Sequence, residues 1–140
     1  MKIGTVVVTH GKIGEEMVRA VGSIVKETGP LLGVSLEHHE DVDTMRRKIQ
    51  EAIQKVDQGA GVLLLADMFG GTPSNLCLSF LETGKVEVVT GVNLPMLIKL
   101  ASLEEEAPLA ETANFIKSYG QKNITRAAEI LETSRTGSTG

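Results

Sequence analysis

Cysteine is almost missing from this chain, and Cys77 is its single representative. One thiol per chain rules out an intramolecular disulfide and a zinc site built on several thiolates. We expect Cys77 to pack inside a helix. The adjacent His38 and His39 do not suggest a metal site either, because neighbouring residues of a strand point to opposite faces. We expect both histidines to be solvated and no metal to be bound.

Long apolar runs and basic blocks are missing as well. No apolar stretch approaches the roughly 18 to 20 residues that cross a bilayer, and the chain enters an apolar strand without a charged signal region. The 14 basic and 18 acidic residues give a net charge of −4, and no cluster of Lys and Arg could neutralise a nucleic-acid backbone. We therefore expect a cytoplasmic protein that neither inserts into a membrane nor binds nucleic acid.

Two nucleotide-binding signatures are also missing. Neither Gly-x-Gly-x-x-Gly nor the P-loop pattern with its Lys occurs in the sequence. ATP and NAD therefore have no sequence support, and we expect no cofactor. A phosphoryl donor would have to be another protein.

Short apolar runs alternate with amphipathic segments along the 140 residues, 41% of which are hydrophobic. This order predicts one α/β domain with a doubly wound, mostly parallel sheet and helices on both faces. We place the domain at residues 1–131 and a flexible tail at 132–140. The predicted strands are residues 3–8, 31–36, 61–66 and 85–90. The predicted helices are residues 12–26, 43–58 with Asp43 as N-cap, a short helix capped by Thr72, 95–103 and 109–119.

Polar and glycine-rich turns follow three of the predicted strands. His10 and Gly11 come after the first strand, a turn at residues 67–72 after the third, and residues 91–93 after the fourth. Since the carboxyl ends of parallel strands share one edge of a sheet, these turns are expected to meet on one rim. Taken singly, His10 could cap a strand, Asp67 could cap a turn, and the paired glycines could serve only a tight turn.

The chemistry that such a rim supports is phosphoryl transfer. Histidine is a nucleophile near neutral pH because one ring nitrogen keeps a free lone pair. If Asp67 accepts a hydrogen bond from one nitrogen of His10, it fixes the tautomer and stabilises the growing positive charge. Backbone amides at Gly11, Gly70, Gly71 and Thr72 would offset the charge of a phosphoryl group. The acidic run at residues 104–106 is interpreted as a solvated turn.

Three segments of the chain resemble the enzyme IIA domain of the mannose and fructose class of the bacterial sugar phosphotransferase system, over about residues 1–131. They are Thr9-His10-Gly11, the run from Asp67 to Asn75 and the run from Gly91 to Leu97. The resemblance implies that the histidine-containing phosphocarrier protein phosphorylates His10 and that an enzyme IIB partner receives the group. It also implies that Nδ1 of His10 faces Asp67, that Nε2 carries the phosphoryl group, and that Gly71 and Thr72 bind its oxygens. We assign Met68, Phe69 and Asn93 to the rim that partners contact.

The resemblance further implies a homodimer in which an antiparallel C-terminal edge strand is exchanged between subunits. Residues 123–131 would supply this strand. The apolar spacing of Ile124, Ala127, Ala128 and Leu131 instead fits a helix. We follow the resemblance for the start of the segment and expect a strand there.

Other functions remain open at this stage. The same His10 chemistry could report phosphorylation state as a regulatory module without feeding transport, or it could belong to the phosphotransfer subunit of dihydroxyacetone kinase. A generic ligand-binding domain of this fold is a third alternative. The leading hypothesis is a phosphotransferase that acts in sugar uptake through an enzyme IIB on a separate chain. The sugar is not specified by the sequence.

Overall fold

A computed structural model of the protein describes residues 1–104 and 107–135. Strands and helices alternate through most of this part of the chain, as the sequence predicts. The strands are β1 (Gly4–His10), β2 (Leu31–Leu36), β3 (Val62–Ala66) and β4 (Val86–Thr90). The helices are α1 (Ile13–Ile24), α2 (Val42–Val56), α3 (Thr72–Leu78), α4 (Leu94–Ser102), α5 (Leu109–Lys122) and α6 (Ala127–Arg135).

The four strands form one parallel sheet in the order β2-β1-β3-β4. Strand β1 lies between β2 and β3, with Val8 beside Val34 on one side and Ala66 on the other. The parallel direction brings the carboxyl ends of all four strands to one edge, which is the edge that carries His10. The α/β fold class predicted from the sequence is confirmed.

Both faces of the sheet are buried because side chains along each strand alternate between two cores. Val6 and Val8 face one core together with residues of α2 and α3, and Val7 faces the other together with residues of α4 and α5. The leucines of β3 divide in the same way, since Leu64 lies in the first core and Leu63 in the second. Continuous apolar strands are therefore required, and the sequence supplies them.

Two predicted helix caps are wrong by one or two residues. Helix α2 begins at Val42, and its N-cap is Asp41, whose carboxylate accepts the backbone N–H of Thr44 at 2.7 Å, so Asp43 lies inside the first turn. This backbone hydrogen bond lowers the pKa of Asp41. Helix α3 is capped by Gly71, and Thr72 is its first residue. In each case the sequence offers two polar or small residues within three positions, and backbone conformation selects the earlier one.

The C-terminal segment differs from the expected strand. Residues 123–126 form neither strand nor helix, and residues 127–135 are helix α6. Ala, Glu and Leu are good helix formers, and a helix satisfies its own backbone groups without a neighbouring strand. The helix that the apolar spacing indicated is therefore present from residue 127 onwards but not at residues 123–126, and the strand taken from the family resemblance is not formed in the single chain.

The predicted limits of the domain fall partly outside the described residues. Helix α6 continues past residue 131 to Arg135, while residues 136–140 of the expected tail and residues 105–106 of the acidic run lie beyond what the structure describes. Among the residues described, none of the helices has the length and apolar character needed to cross a bilayer.

Helix α1 approaches the sheet closely at a glycine of β2. A Cβ atom added at Gly33 would lie 2.7 Å from the backbone nitrogen of Glu15 and 2.8 Å from its Cα. Both are backbone atoms of a packed helix, so they cannot move aside without shifting α1. Since α1 starts just after the His10 loop, this contact helps to fix the rim of the sheet.

Gly33→Ala is therefore expected to destabilise the protein by about 1 to 3 kcal/mol through overpacking. Gly22→Ala is the matched control, because Gly22 is an exposed residue of α1 with nothing within 4 Å of an added Cβ. That control should raise stability by up to about 1 kcal/mol through helix propensity. Urea unfolding measures both, and a Gly33→Ala variant as stable as the wild type would contradict the packing account.

Candidate functional site

His10 and Asp67 meet at the carboxyl edge of the sheet. His10 ends β1, and Asp67 directly follows β3, the strand beside it. Nδ1 of His10 lies 2.8 Å from Oδ2 of Asp67, and the same oxygen accepts the backbone N–H of His10 at 3.0 Å. The histidine side chain is 51% exposed and the aspartate side chain 15%. The two residues named from the sequence are thus brought into direct contact.

The carboxylate determines which nitrogen of His10 is available. An ionised carboxylate only accepts hydrogen bonds, so Nδ1 carries the proton in this contact. In the neutral ring, Nε2 then keeps its lone pair. The second carboxylate oxygen, Oδ1, is buried and has no hydrogen-bond partner within the described chain. Within the described chain, the side-chain hydrogen bonds of Asp67 are therefore all made to His10. The half-exposed ring of His10 keeps one unprotonated nitrogen.

The turn after Asp67 closes over the ring of His10. A Cβ atom at Gly71 would lie 3.2 Å from Nε2, and Gly71 has a φ of +86°. Glycine is required here both for the left-handed conformation and for the close approach to the ring. Thr72 follows at the start of α3 with an exposed side chain. Gly71 thus lies beside the free nitrogen, and Thr72 is the next residue along the chain.

Ser74 holds this turn and was not singled out from the sequence. Its hydroxyl is fully buried and accepts the backbone N–H of Gly70 at 2.8 Å. The amide of Gly70 is therefore already engaged and does not point freely into the site. The sequence shows only a serine two positions after Thr72. Which backbone group its hydroxyl binds is set by the tertiary fold.

The loop after His10 is fixed by a second buried hydroxyl. Thr9 accepts the backbone N–H of Gly14 at 2.7 Å and donates to the carbonyl of Gly11 at 3.2 Å. The amide of Gly11 donates to the carbonyl of Leu36 at 3.0 Å. Gly11 therefore shapes the loop, with a φ of +54°. Its N–H already donates to Leu36 at the edge of the sheet.

Asn93 has an internal role in this structure. Its side-chain oxygen accepts the backbone N–H of Met96 at 3.2 Å, which caps α4, and its amide nitrogen donates to the carbonyl of Gly120 at 3.0 Å. Both ends of the side chain are occupied, so Asn93 holds the loop after β4 against α5. The sequence placed this residue on the rim and did not predict the tether.

Exposed apolar side chains flank the histidine. Met68 and Phe69 lie in the turn after Asp67 and are 53% and 75% exposed. Ile13, at the start of α1, is 52% exposed; its spacing in the sequence assigned it to the apolar face of that helix and not to the rim. Apolar side chains this exposed next to a reactive group are typical of a surface that another protein covers.

Cys77, His38 and His39 do not add a second reactive group beside His10 in the described part of the chain. Cys77 is buried in α3, and burial, together with the negative charge of Asp67, raises the pKa of its thiol to about 12. The thiol is therefore held protonated. His38 and His39 are exposed, as expected. Across residues 1–104 and 107–135, the His, Cys, Asp and Glu side chains form no cluster of three that could hold a metal ion.

Comparison with known proteins identifies the family. Residues 4–117 match the family model described as the fructose IIA component of the phosphotransferase system. The fructose-specific EIIA component of Bacillus subtilis (strain 168) is 31% identical over 135 residues, which are 96% of this chain and 92% of that protein. The chain belongs to the mannose-class enzyme IIA family.

Other relatives agree with this assignment. The mannose-specific EIIAB component of Escherichia coli (strain K12) is 28% identical over 109 residues, or 77% of this chain and 34% of that longer protein. The mannose/sorbose-specific IIA subunit from Enterococcus faecalis superposes with a TM-score of 0.80 at 28% identity, covering 90% of this chain and 95% of that chain. A IIA protein associated with the fucose utilization operon of Streptococcus pneumoniae gives a TM-score of 0.81 at 25% identity, covering 94% and 97%.

Membership in this family sets the general function. Enzyme IIA components are phosphotransferases of the sugar phosphotransferase system, and this chain has a phosphocarrier role in that system. The family also implies interaction with phosphocarrier and IIB proteins.

Proposed function

We propose that this chain accepts a phosphoryl group on Nε2 of His10 from the histidine-containing phosphocarrier protein and passes it to an enzyme IIB. The observation that carries the proposal is the 2.8 Å contact between Nδ1 of His10 and Oδ2 of Asp67, with the ring half exposed. It leaves the unprotonated nitrogen on the side that a donor protein can reach.

The transfer balances without a cofactor. The Nε2 lone pair forms a bond to phosphorus as the phosphorus–nitrogen bond of the donor phosphohistidine breaks, and that electron pair returns to the donor ring. Positive charge then grows on the His10 ring, where Asp67 stabilises it through Nδ1–H. In the second transfer a nucleophile of enzyme IIB attacks phosphorus, and His10 recovers its lone pair.

Gly71 and Thr72 are proposed to bind the phosphoryl oxygens. Gly71 is the residue whose backbone approaches Nε2, and Thr72 adds an amide and an exposed hydroxyl at the first position of α3. Gly11 and Gly70 contribute by shaping the two turns, because their amides already donate to Leu36 and Ser74. Backbone amides suit this task because their N–H groups can bind an anion without a charged side chain.

The exposed apolar residues Met68, Phe69 and Ile13 are proposed as the docking surface around the histidine. A carrier that serves two partners in turn needs a surface that each partner can bind and then dissociate from. The exposed apolar side chains near the ring supply such a surface. Asn93 supports this surface by holding the loop after β4. No sugar is assigned, because the proposed reaction passes phosphorus only between proteins, and we expect it to take place in the cytoplasm.

We also propose that the protein is a homodimer built on the open edge of β4. The backbone N–H of Val88 donates to the Glu87 carboxylate at 3.1 Å and is directed away from β3. A cavity of about 300 Å³ beside this edge is lined by Val88, Gly120 and Ile124, among others, and Ile124 is 76% exposed. An added antiparallel strand from residues 123–126 of a second copy would pair with the free edge and cover Ile124.

The relay is tested by incubating the protein with phosphoenolpyruvate, enzyme I and the phosphocarrier protein and measuring its intact mass. One acid-labile, base-stable phosphoryl group should be added to the wild type, and none to His10→Gln. His38→Gln is the matched control, an exposed histidine in the loop after β2, and should be labelled like the wild type.

An unchanged wild-type mass would contradict the phosphocarrier proposal, as would full labelling of His10→Gln. Adding enzyme IIB proteins of the same cell should then remove the group from His10. Labelling without transfer to any IIB would instead favour the regulatory module.

The dimer is tested by sedimentation equilibrium, which should give twice the 14.9 kDa chain mass. Ile124→Glu should shift the equilibrium to monomer, because a charge would be buried in the interface. Ile24→Glu is the control, since Ile24 is 57% exposed on α1, away from this edge, and the variant should remain dimeric. A wild type at monomer mass at tens of micromolar would refute the dimer.

A further inference from the structure

A separate cavity lies at the amino ends of the strands, on the edge of the sheet opposite to His10. Its volume is about 150 Å³, and its walls are mainly apolar. Six of the lining residues come from the starts of β1 and β2 and from α4 and α5: Ile3, Thr5, Leu31, Leu97, Leu100 and Thr112. The cavity shares none of its lining with the site around His10.

Three threonines line this cavity, and the hydroxyl of one of them, Thr28, already donates to the carbonyl of Gly29. The other two are Thr5 and Thr112. Thr5 is 4% exposed and Thr112 is 5% exposed, and both line the cavity. No hydrogen bond within the described part of the chain engages either hydroxyl. Neither oxygen is among the buried atoms without a partner, so both hydroxyls are reachable from the cavity. They are therefore available to exchange hydrogen bonds with a molecule that occupies it.

Among the described residues, two other buried hydroxyls are engaged internally, and a third, that of Ser35, is not. Thr9 and Ser74 hold the two turns at the opposite edge, as described above. Ser35 has a buried hydroxyl without a partner, but it does not line this cavity. The combination of a cavity with two free hydroxyls therefore distinguishes Thr5 and Thr112.

The charges around the cavity favour a neutral occupant. Its charged lining residues, within the described ranges, are Lys2 and Glu104, and both are exposed. A charged ligand would lose its hydration among leucine side chains without a buried counter-ion. A neutral molecule would lose little hydration free energy on entering the cavity, and burial of its apolar part would favour binding.

We propose that this cavity binds a small neutral molecule with an apolar body and one hydroxyl group, of about six non-hydrogen atoms, since an apolar protein cavity of similar volume accepts benzene. The apolar body contacts Leu97 and Leu100, and the ligand hydroxyl exchanges hydrogen bonds with Thr5 and Thr112. The site is independent of phosphoryl transfer at His10.

Cyclopentanol, a molecule of this size and chemistry, is the probe. Methyl-detected carbon–proton NMR of the whole protein should show saturable shifts at Leu97, Leu100, Thr5 and Thr112, with a dissociation constant in the millimolar range. Methyl groups of Val34 and Leu36, which lie in the core on the other face of the sheet, should not shift.

Thr112→Val keeps the shape of the wall and removes one hydroxyl, so it should weaken cyclopentanol binding about 5-fold. Thr5→Val should do the same and serves if the first variant does not fold. Thr90→Val, at the end of β4, is the control and should bind like the wild type. Absence of saturation, shifts spread over both cores, or unchanged affinity in both valine variants would overturn the proposal and leave a cavity for water only.

Discussion

The hydrogen bond between His10 and Asp67 is the contact on which the function of the molecule depends. Its contribution to stability is expected to be only about 1 kcal/mol, because solvent screens the half-exposed ring. The contact instead orients the imidazole ring, since one carboxylate oxygen binds both the ring and the backbone N–H of His10. The half-exposed ring is thereby fixed in one tautomer, with the unprotonated Nε2 beside Gly71.

The sheet makes this contact possible. Val8 of β1 lies beside Ala66 of β3, so Asp67 follows the paired position by one residue and His10 by two. Apolar strands buried on both faces fix that register, because a slip of one residue would exchange the two cores. The turns are then held by hydroxyls below the surface, Thr9 under one and Ser74 under the other. Reactivity at the rim thus rests on packing in the layers beneath it.

Much of this arrangement could be predicted from the sequence. Strand β2 has the predicted bounds, and His10 and Asp67 were placed on one rim because apolar runs ended at both. Local patterns locate the ends of strands well. They did not reveal that Asn93 caps α4 and tethers α5, or that Ser74 takes the amide of Gly70, because these contacts depend on how distant segments pack.

The C-terminal segment illustrates a different limit. Residues 123–135 are exposed wherever their side chains are described, so packing within the chain does not decide their structure. Local helix propensity is then sufficient to form α6. A strand at the same place would need the edge of a sheet in another copy, because its backbone groups have no neighbouring strand within one chain.

The tautomer of His10 tests the account most directly. Long-range proton–nitrogen NMR of the neutral imidazole should show a protonated Nδ1 and an unprotonated Nε2 in the wild type. Asp67→Asn should lose this preference, whereas Asp43→Asn, an exposed substitution in α2, should keep it. A wild-type ring protonated mainly on Nε2 would contradict the central claim.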